Sequence, residues 1–119
     1  MLICFSTEGK EFDSPLSTHF EKAKWFLFFD TETHKIQSIE HKHRSFSQSQ
    51  AVHLVTEKRP FLVITGNIEP NSFDFFKASG IKIISGVFAL TAREAWQRYQ
   101  QGLIQIVEDV PGAGRGRIL

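Results

Sequence analysis

The stretch Lys24-Trp25-Phe26-Leu27-Phe28-Phe29-Asp30 decides how this chain folds. Alternate residues of a strand point to opposite faces, so Trp25, Leu27 and Phe29 face one way and Phe26 and Phe28 the other. Both faces are apolar, which predicts a strand covered on both sides rather than one with a wetted face. Working outward, residues 31–34 read as a turn, and residues 35–40, with only Ile36 and Ile39 apolar, read as its antiparallel partner. Upstream, residues 2–6 form a short apolar strand, and residues 7–17 form a loop rich in Gly, Asp, Ser and Pro.

Downstream the period changes. Ala51, Val52, Leu54 and Val55 recur at helical spacing and stop before Pro60. Residues 61–65 are a continuous apolar run. A helix follows over residues 73–79, entered at Asn71 and Ser72 and closed by Gly80 at the left-handed cap position. Residues 81–85 are the next buried strand. Thr91 and Glu94 form a capping box that opens a helix carrying Ala95, Trp96 and Tyr99 and ending at Gly102. Residues 103–107 are expected to add an edge strand. Short, doubly buried strands alternating with helices demand parallel pairing through right-handed crossovers. The expected class is α/β: a single compact domain over residues 1–108, with a mixed five- or six-stranded sheet covered by helices on both faces. Residues 109–119, with glycines between arginines and no periodicity, are expected to be a flexible C-terminal tail.

A chain of 119 residues and 13.6 kDa has roughly 6,600 Å² of folded surface against about 20,000 Å² unfolded, enough burial for one real core. With 41% hydrophobic and 23% charged residues, disorder, collagen and coiled coil are excluded. A net charge of +1 supplies no global field to steer the chain onto nucleic acid or an anionic membrane, so neither is an expected partner. One cysteine, Cys4, excludes an internal disulfide and a site built from four thiolates. The N-terminus has no basic lead and no signal-peptide pattern, and no apolar run approaches the roughly 18 residues of a membrane span. The expected compartment is the cytoplasm.

In open α/β sheets, ligands bind beyond the carboxyl ends of parallel strands, where loops and helix starts expose backbone N–H groups. Those ends carry Ser6 and Thr7, then Gly66 and Asn67, then Gly86. The glycines let a ligand approach the backbone closely, or else they only relieve tight turns. His19 lies in the loop before the aromatic strand, preceded by small polar residues that cannot shield it. Its imidazole suits a borderline metal or an anion, with a purely structural histidine as the alternative. His41 and His43 stand two apart at the end of the third strand, so in extended geometry both imidazoles project from one face. That arrangement reads either as a chelating pair or as a solvated basic loop with Lys42 and Arg44. His53, between Val52 and Leu54, reads as a helix-surface residue.

Residues 13–20, Asp-Ser-Pro-Leu-Ser-Thr-His-Phe, come before Ala23 and the aromatic strand. Residues 66–73, Gly-Asn-Ile-Glu-Pro-Asn-Ser-Phe, and then Ala78-Ser79-Gly80-Ile81-Lys82-Ile83 follow in order. Together these pieces resemble the dinitrogenase iron-molybdenum cofactor biosynthesis family over about residues 1–108; each alone is weak. The resemblance implies a fold like the ribonuclease H motif and a role in binding or carrying an iron-sulfur or iron-molybdenum-type cluster, transiently bound. It matches His19 to the family's histidine, with Glu21 in place of the glycine of the usual His-Phe-Gly motif, and with Asn67 and Glu69 replacing further glycines.

The preferred reading is a non-enzymatic carrier module whose cofactor-binding residues are Ser6, Thr7, His19, Gly66, Asn67, Gly86, His41 and His43, with His19 as the metal ligand. Its expected partners are metallocluster donor or acceptor proteins, and the expected state is a monomer or weak dimer. A metal-free module that binds or senses a small anion is the alternative. An enzyme is disfavoured: the first strand carries no acid, Asp30, Glu40 and Asp74 have no spacing that would clamp paired metal ions, and no nucleophile-elbow or phosphate-loop motif is present.

Overall fold

The computed structural model describes residues 1–42 and 49–112. Its elements run β1 (Leu2–Thr7), a 3-10 turn (Phe20–Lys22), β2 (Trp25–Asp30), β3 (Ile36–Glu40), α1 (Ser49–Thr56), β4 (Leu62–Ile64), α2 (Pro70–Ala78), β5 (Lys82–Ile84) and α3 (Ala92–Gln100). One mixed sheet has the order β3-β2-β1-β4-β5. β1 pairs antiparallel with β2, and β2 with β3, whereas β1–β4 and β4–β5 are parallel.

The aromatic strand is two-faced as its pattern demands. Phe26 and Phe28 join Cys4, Val63 and Ile83 beneath α1 and α2. Leu27 and Phe29 join Ile3, Phe5, Leu62, Ile64 and Ile84 beneath α3. The helices therefore cover both faces. The largest side chains in these two layers have essentially no exposed surface, and each such residue contributes about 1.5–3 kcal/mol by leaving water.

Local signals hold where they are local. Thr91 Oγ1 accepts the Glu94 N–H at 3.1 Å, and Glu94 Oε1 accepts the Thr91 N–H at 2.9 Å, closing the capping box of α3. Gly80 and Gly102 adopt φ of 78° and 75° just beyond α2 and α3. Helix α2 begins earlier than its apolar spacing suggests, because Pro70 at its first turn has a φ already suited to a helix.

Residues 103–107 do not form the expected edge strand, so the sheet has five strands. β5 has only three residues, and a single bond, Val107 N–H to Ile83 O at 2.8 Å, links this segment to it. The boundary expected at residue 108 falls within a segment that packs on the domain, since Val107 and Val110 both lie against the α1–α2 layer. Of the expected tail, residues 113–119 lie outside the described residues.

Candidate functional site

The parallel half of the sheet ends where three loops meet. Segment 14–19 is stitched to β1 by the Ser17 N–H on Ser6 O at 2.9 Å, and to the loop before α3 by the Leu16 N–H on Leu90 O at 2.9 Å. Asn67 donates its N–H to Thr18 O at 2.7 Å and accepts the Phe20 N–H at 2.8 Å, which makes His19 and Asn67 a parallel bridge pair. Gly86 then donates to Gly66 O at 2.8 Å. His19, Gly66, Asn67 and Gly86 are thereby brought to one edge of the molecule.

Gly66 makes this convergence possible. A Cβ at this position would lie 2.6 Å from both Ser17 O and Thr18 O, so only glycine lets the histidine loop lie against the end of β4. The close approach is made by the chain's own backbone, and no space is left there for a ligand. Gly86, with φ 78° and open space where a side chain would start, is exposed at the rim.

The backbone N–H groups of Asn67 and Gly86, expected to be open to a ligand, are used to join the loops. Buried connections must satisfy their own polar groups, and here they do so with one another. What faces outward is side-chain chemistry. His19 and Asn67 are both exposed, and bridge partners project to the same side, so an imidazole and a carboxamide stand next to each other.

Ser6 and Thr7 are fully buried and hold the scaffold. Ser6 Oγ lies 2.6 Å from Thr65 Oγ1 and 2.9 Å from Ser17 Oγ, and Ser17 Oγ reaches His19 O at 3.1 Å. Three hydroxyls from three segments thus support the carbonyl of His19 from below. Thr7 Oγ1 donates to Gly9 O at 2.7 Å. Neither residue offers a hydroxyl to a ligand.

His41 departs from its expected role. It is fully buried, its Nδ1 donates to Ala23 O at 2.8 Å, and its ring lies 5.1 Å from that of Phe26. The strand end turns this imidazole into the core, because Phe26 and Ala23 provide an apolar wall and a carbonyl acceptor. His43, its expected partner, lies outside the described residues.

Glu21, marked in the sequence as the replacement for the glycine of the His-Phe-Gly motif, follows His19 by two residues and reaches the start of α2. It is buried, and its Oε2 accepts the Glu69 N–H at 3.0 Å at the start of α2. Cys4 is fully buried, and desolvation pushes its thiol well above the ordinary range, so it is withheld from metal. Among the described residues, no three His, Cys, Asp or Glu side chains gather as a set that could hold a metal ion. Over the described residues this donor set does not supply a cluster with a full complement of protein ligands. No described helix is long and apolar enough to cross a membrane.

Comparison with known proteins adds a family and a fold. A sequence model described as dinitrogenase iron-molybdenum cofactor matches residues 1–102. No curated protein matches the sequence. The apo form of the orange protein from Desulfovibrio gigas is similar in structure, with a TM-score of 0.85 at 23% identity over 91% of this chain and 93% of that one. A Thermotoga protein provisionally described as NifB and placed in the DUF35 family gives 0.77 at 23% identity, over 93% and 98% of the two chains. A Methanocaldococcus jannaschii protein provisionally described as a dinitrogenase gives 0.71 at 16%, over 92% and 97%. At these identities the structural likeness is one of fold.

Proposed function

The chain belongs to the dinitrogenase iron-molybdenum cofactor family, and from that membership we propose that it is a non-enzymatic module that transiently holds an iron-sulfur-type metallocluster as cargo. The observation that carries this reading is the His19–Asn67 bridge, which stands an exposed imidazole beside an exposed carboxamide at the carboxyl end of the parallel strands. A neutral imidazole donates a lone pair to a borderline metal such as iron. Asn67 offers both an N–H donor and a carbonyl acceptor to the cargo's periphery.

A single protein ligand favours release as much as uptake. Several thiolates would hold iron durably, whereas one imidazole exchanges, which is what passage between a donor and an acceptor protein requires. Such metallocluster donor or acceptor proteins are the proposed partners. The metal-free reading is weaker, because the backbone N–H groups that would bind a small anion at Asn67 and Gly86 are already bonded within the chain.

The test is anaerobic titration with isolated iron-molybdenum cofactor, followed by visible absorption. Wild type should take up the cofactor, and His19→Ala should bind it at least about tenfold more weakly, the loss of one metal bond, with its circular dichroism unchanged. Equal affinity and equal spectra for the two proteins would refute the ligand role of His19.

A further inference from the structure

Between β5 and α3 the chain takes left-handed backbone twice, at Gly86 with φ 78° and at Ala89 with φ 61°. Glycine adopts such values freely, but alanine does so only under strain that the surrounding structure must impose. The bonds that impose it flank the turn. The Gly86 N–H donates to Gly66 O at 2.8 Å, the Val87 N–H donates to Thr65 O at 3.2 Å, and Leu90 O accepts the Leu16 N–H at 2.9 Å. Val87 is buried and Leu90 packs in the layer beneath α3. Both ends of the loop are thus pinned, and the residues between them are held outward.

Phe88 is what this loop displays. It is 47% exposed, and none of the ring pairs or cation contacts found among the described residues includes it. Burying a phenylalanine is among the larger favourable steps open to a fold, so a strained turn that keeps one in water does nothing for stability. Its neighbours fix where it stands: Thr65 and Gly66 follow β4, and Leu16 lies three residues before His19. Phe88 and the exposed His19–Asn67 pair therefore border the same carboxyl-end edge.

The rim of a phenyl ring carries the positive part of its quadrupole, and sulfur packs favourably against that rim. An anionic metal-sulfur centre presents sulfide to such an edge, whereas an oxygen-faced ion holds its water by hydrogen bonds that a ring cannot replace. We propose that Phe88 is a specificity-determining contact for the cargo: its ring edge receives sulfide and selects centres faced with sulfur over those faced with oxygen. The inference rests on the reading of the His19 edge as the cargo's docking point, and it narrows that cargo to sulfide-faced centres.

Phe88→Ala and Phe88→Leu both remove the ring from an exposed position, and leucine keeps the apolar bulk. Wild type, these two variants and His19→Ala are titrated anaerobically with isolated iron-molybdenum cofactor by visible absorption. Each is also titrated with thiosulfate and with sulfate, ions of equal charge and similar shape that differ by one terminal sulfur, reading the NMR shifts of His19, Asn67 and Gly86. Wild type should prefer thiosulfate. Both Phe88 variants should bind cofactor and thiosulfate roughly two- to tenfold more weakly, the range of a single sulfur–aromatic contact, with sulfate binding and circular dichroism unchanged. The proposal is overturned if Phe88→Ala binds cofactor as wild type does, if Phe88→Leu matches wild type for cofactor and thiosulfate, if sulfate weakens as much as thiosulfate, or if no cofactor binds to any of the four proteins. If the Phe88 variants lose cofactor while His19→Ala takes it up as wild type does, the ligand role of His19 falls and the ring contact stands; the converse pair of results removes the ring contact alone.

Discussion

Replacing Gly66 with alanine isolates the contact that assembles the candidate site. The new methyl would sit 2.6 Å from Ser17 O and Thr18 O and 2.9 Å from Thr18 C, all of them backbone atoms that cannot rotate away. Overpacking of this kind costs about 1–3 kcal/mol. If the histidine loop shifts to relieve it, the Asn67–Thr18 and Phe20–Asn67 bonds, at 2.7 and 2.8 Å, are lost as well, at about 1 kcal/mol each. Alanine stiffens the unfolded chain and returns about 0.4–1 kcal/mol. The net expectation is a loss of about 2–4 kcal/mol. For 119 residues the unfolding entropy is about 0.25 kcal/mol/K, so Tm should fall by roughly 8–16 °C. Urea denaturation measures the loss, and amide hydrogen exchange at Phe20 and Asn67 locates it. Gly86→Ala is the control: its methyl would meet open space, so only left-handed strain of about 1–2 kcal/mol applies and the loop stays in place. A Gly66→Ala protein within about 0.5 kcal/mol of wild type, with both amides still protected, would refute the claim that this close approach builds the edge; that margin is the scatter of neutral surface changes.

Phe28→Ala, deep in the α1–α2 layer, should lower stability in urea by about 3–5 kcal/mol; a loss under about 1 kcal/mol would remove it from the core. Thr91→Ala breaks the capping box of α3 and should cost about 1 kcal/mol in the same assay, with little effect on cofactor uptake. Burial raises the Cys4 pKa in the folded state, so the folded chain keeps a proton that the unfolded chain loses. Its contribution to stability is therefore complete below the ordinary thiol value of about 8.5 and declines as pH rises above it. The urea midpoint of wild type should fall from pH 8 toward pH 10 more steeply than that of Cys4→Ala, measured by tryptophan fluorescence. The thiol should also resist alkylation until denaturant is added, and rapid labelling of the native protein would contradict its burial.

What could be read from the chain alone is what depends on near neighbours. Five apolar residues in succession, Trp25 to Phe29, specify a strand covered on both faces whatever lies around them. The capping box at Thr91 and Glu94, the proline at the start of α2 and the glycines at 80 and 102 act within a turn or two. Alternation of buried strands with helices then leaves few topologies, and the observed order β3-β2-β1-β4-β5 is among them. The convergence of Gly66, Asn67 and Gly86 was also legible, because parallel strands deliver their carboxyl ends to one side; His19, in the loop before antiparallel β2, joins them through its bridge to Asn67. The tertiary structure alone decided what those residues do there. Gly66 admits the chain's own carbonyls, the N–H groups of Asn67 and Gly86 bind neighbouring loops, and His41 turns inward onto Ala23. Glu21 finds Glu69 across 48 positions of sequence. No local pattern encodes such pairings, because each depends on two distant segments meeting and on every buried polar group there finding a partner within the meeting.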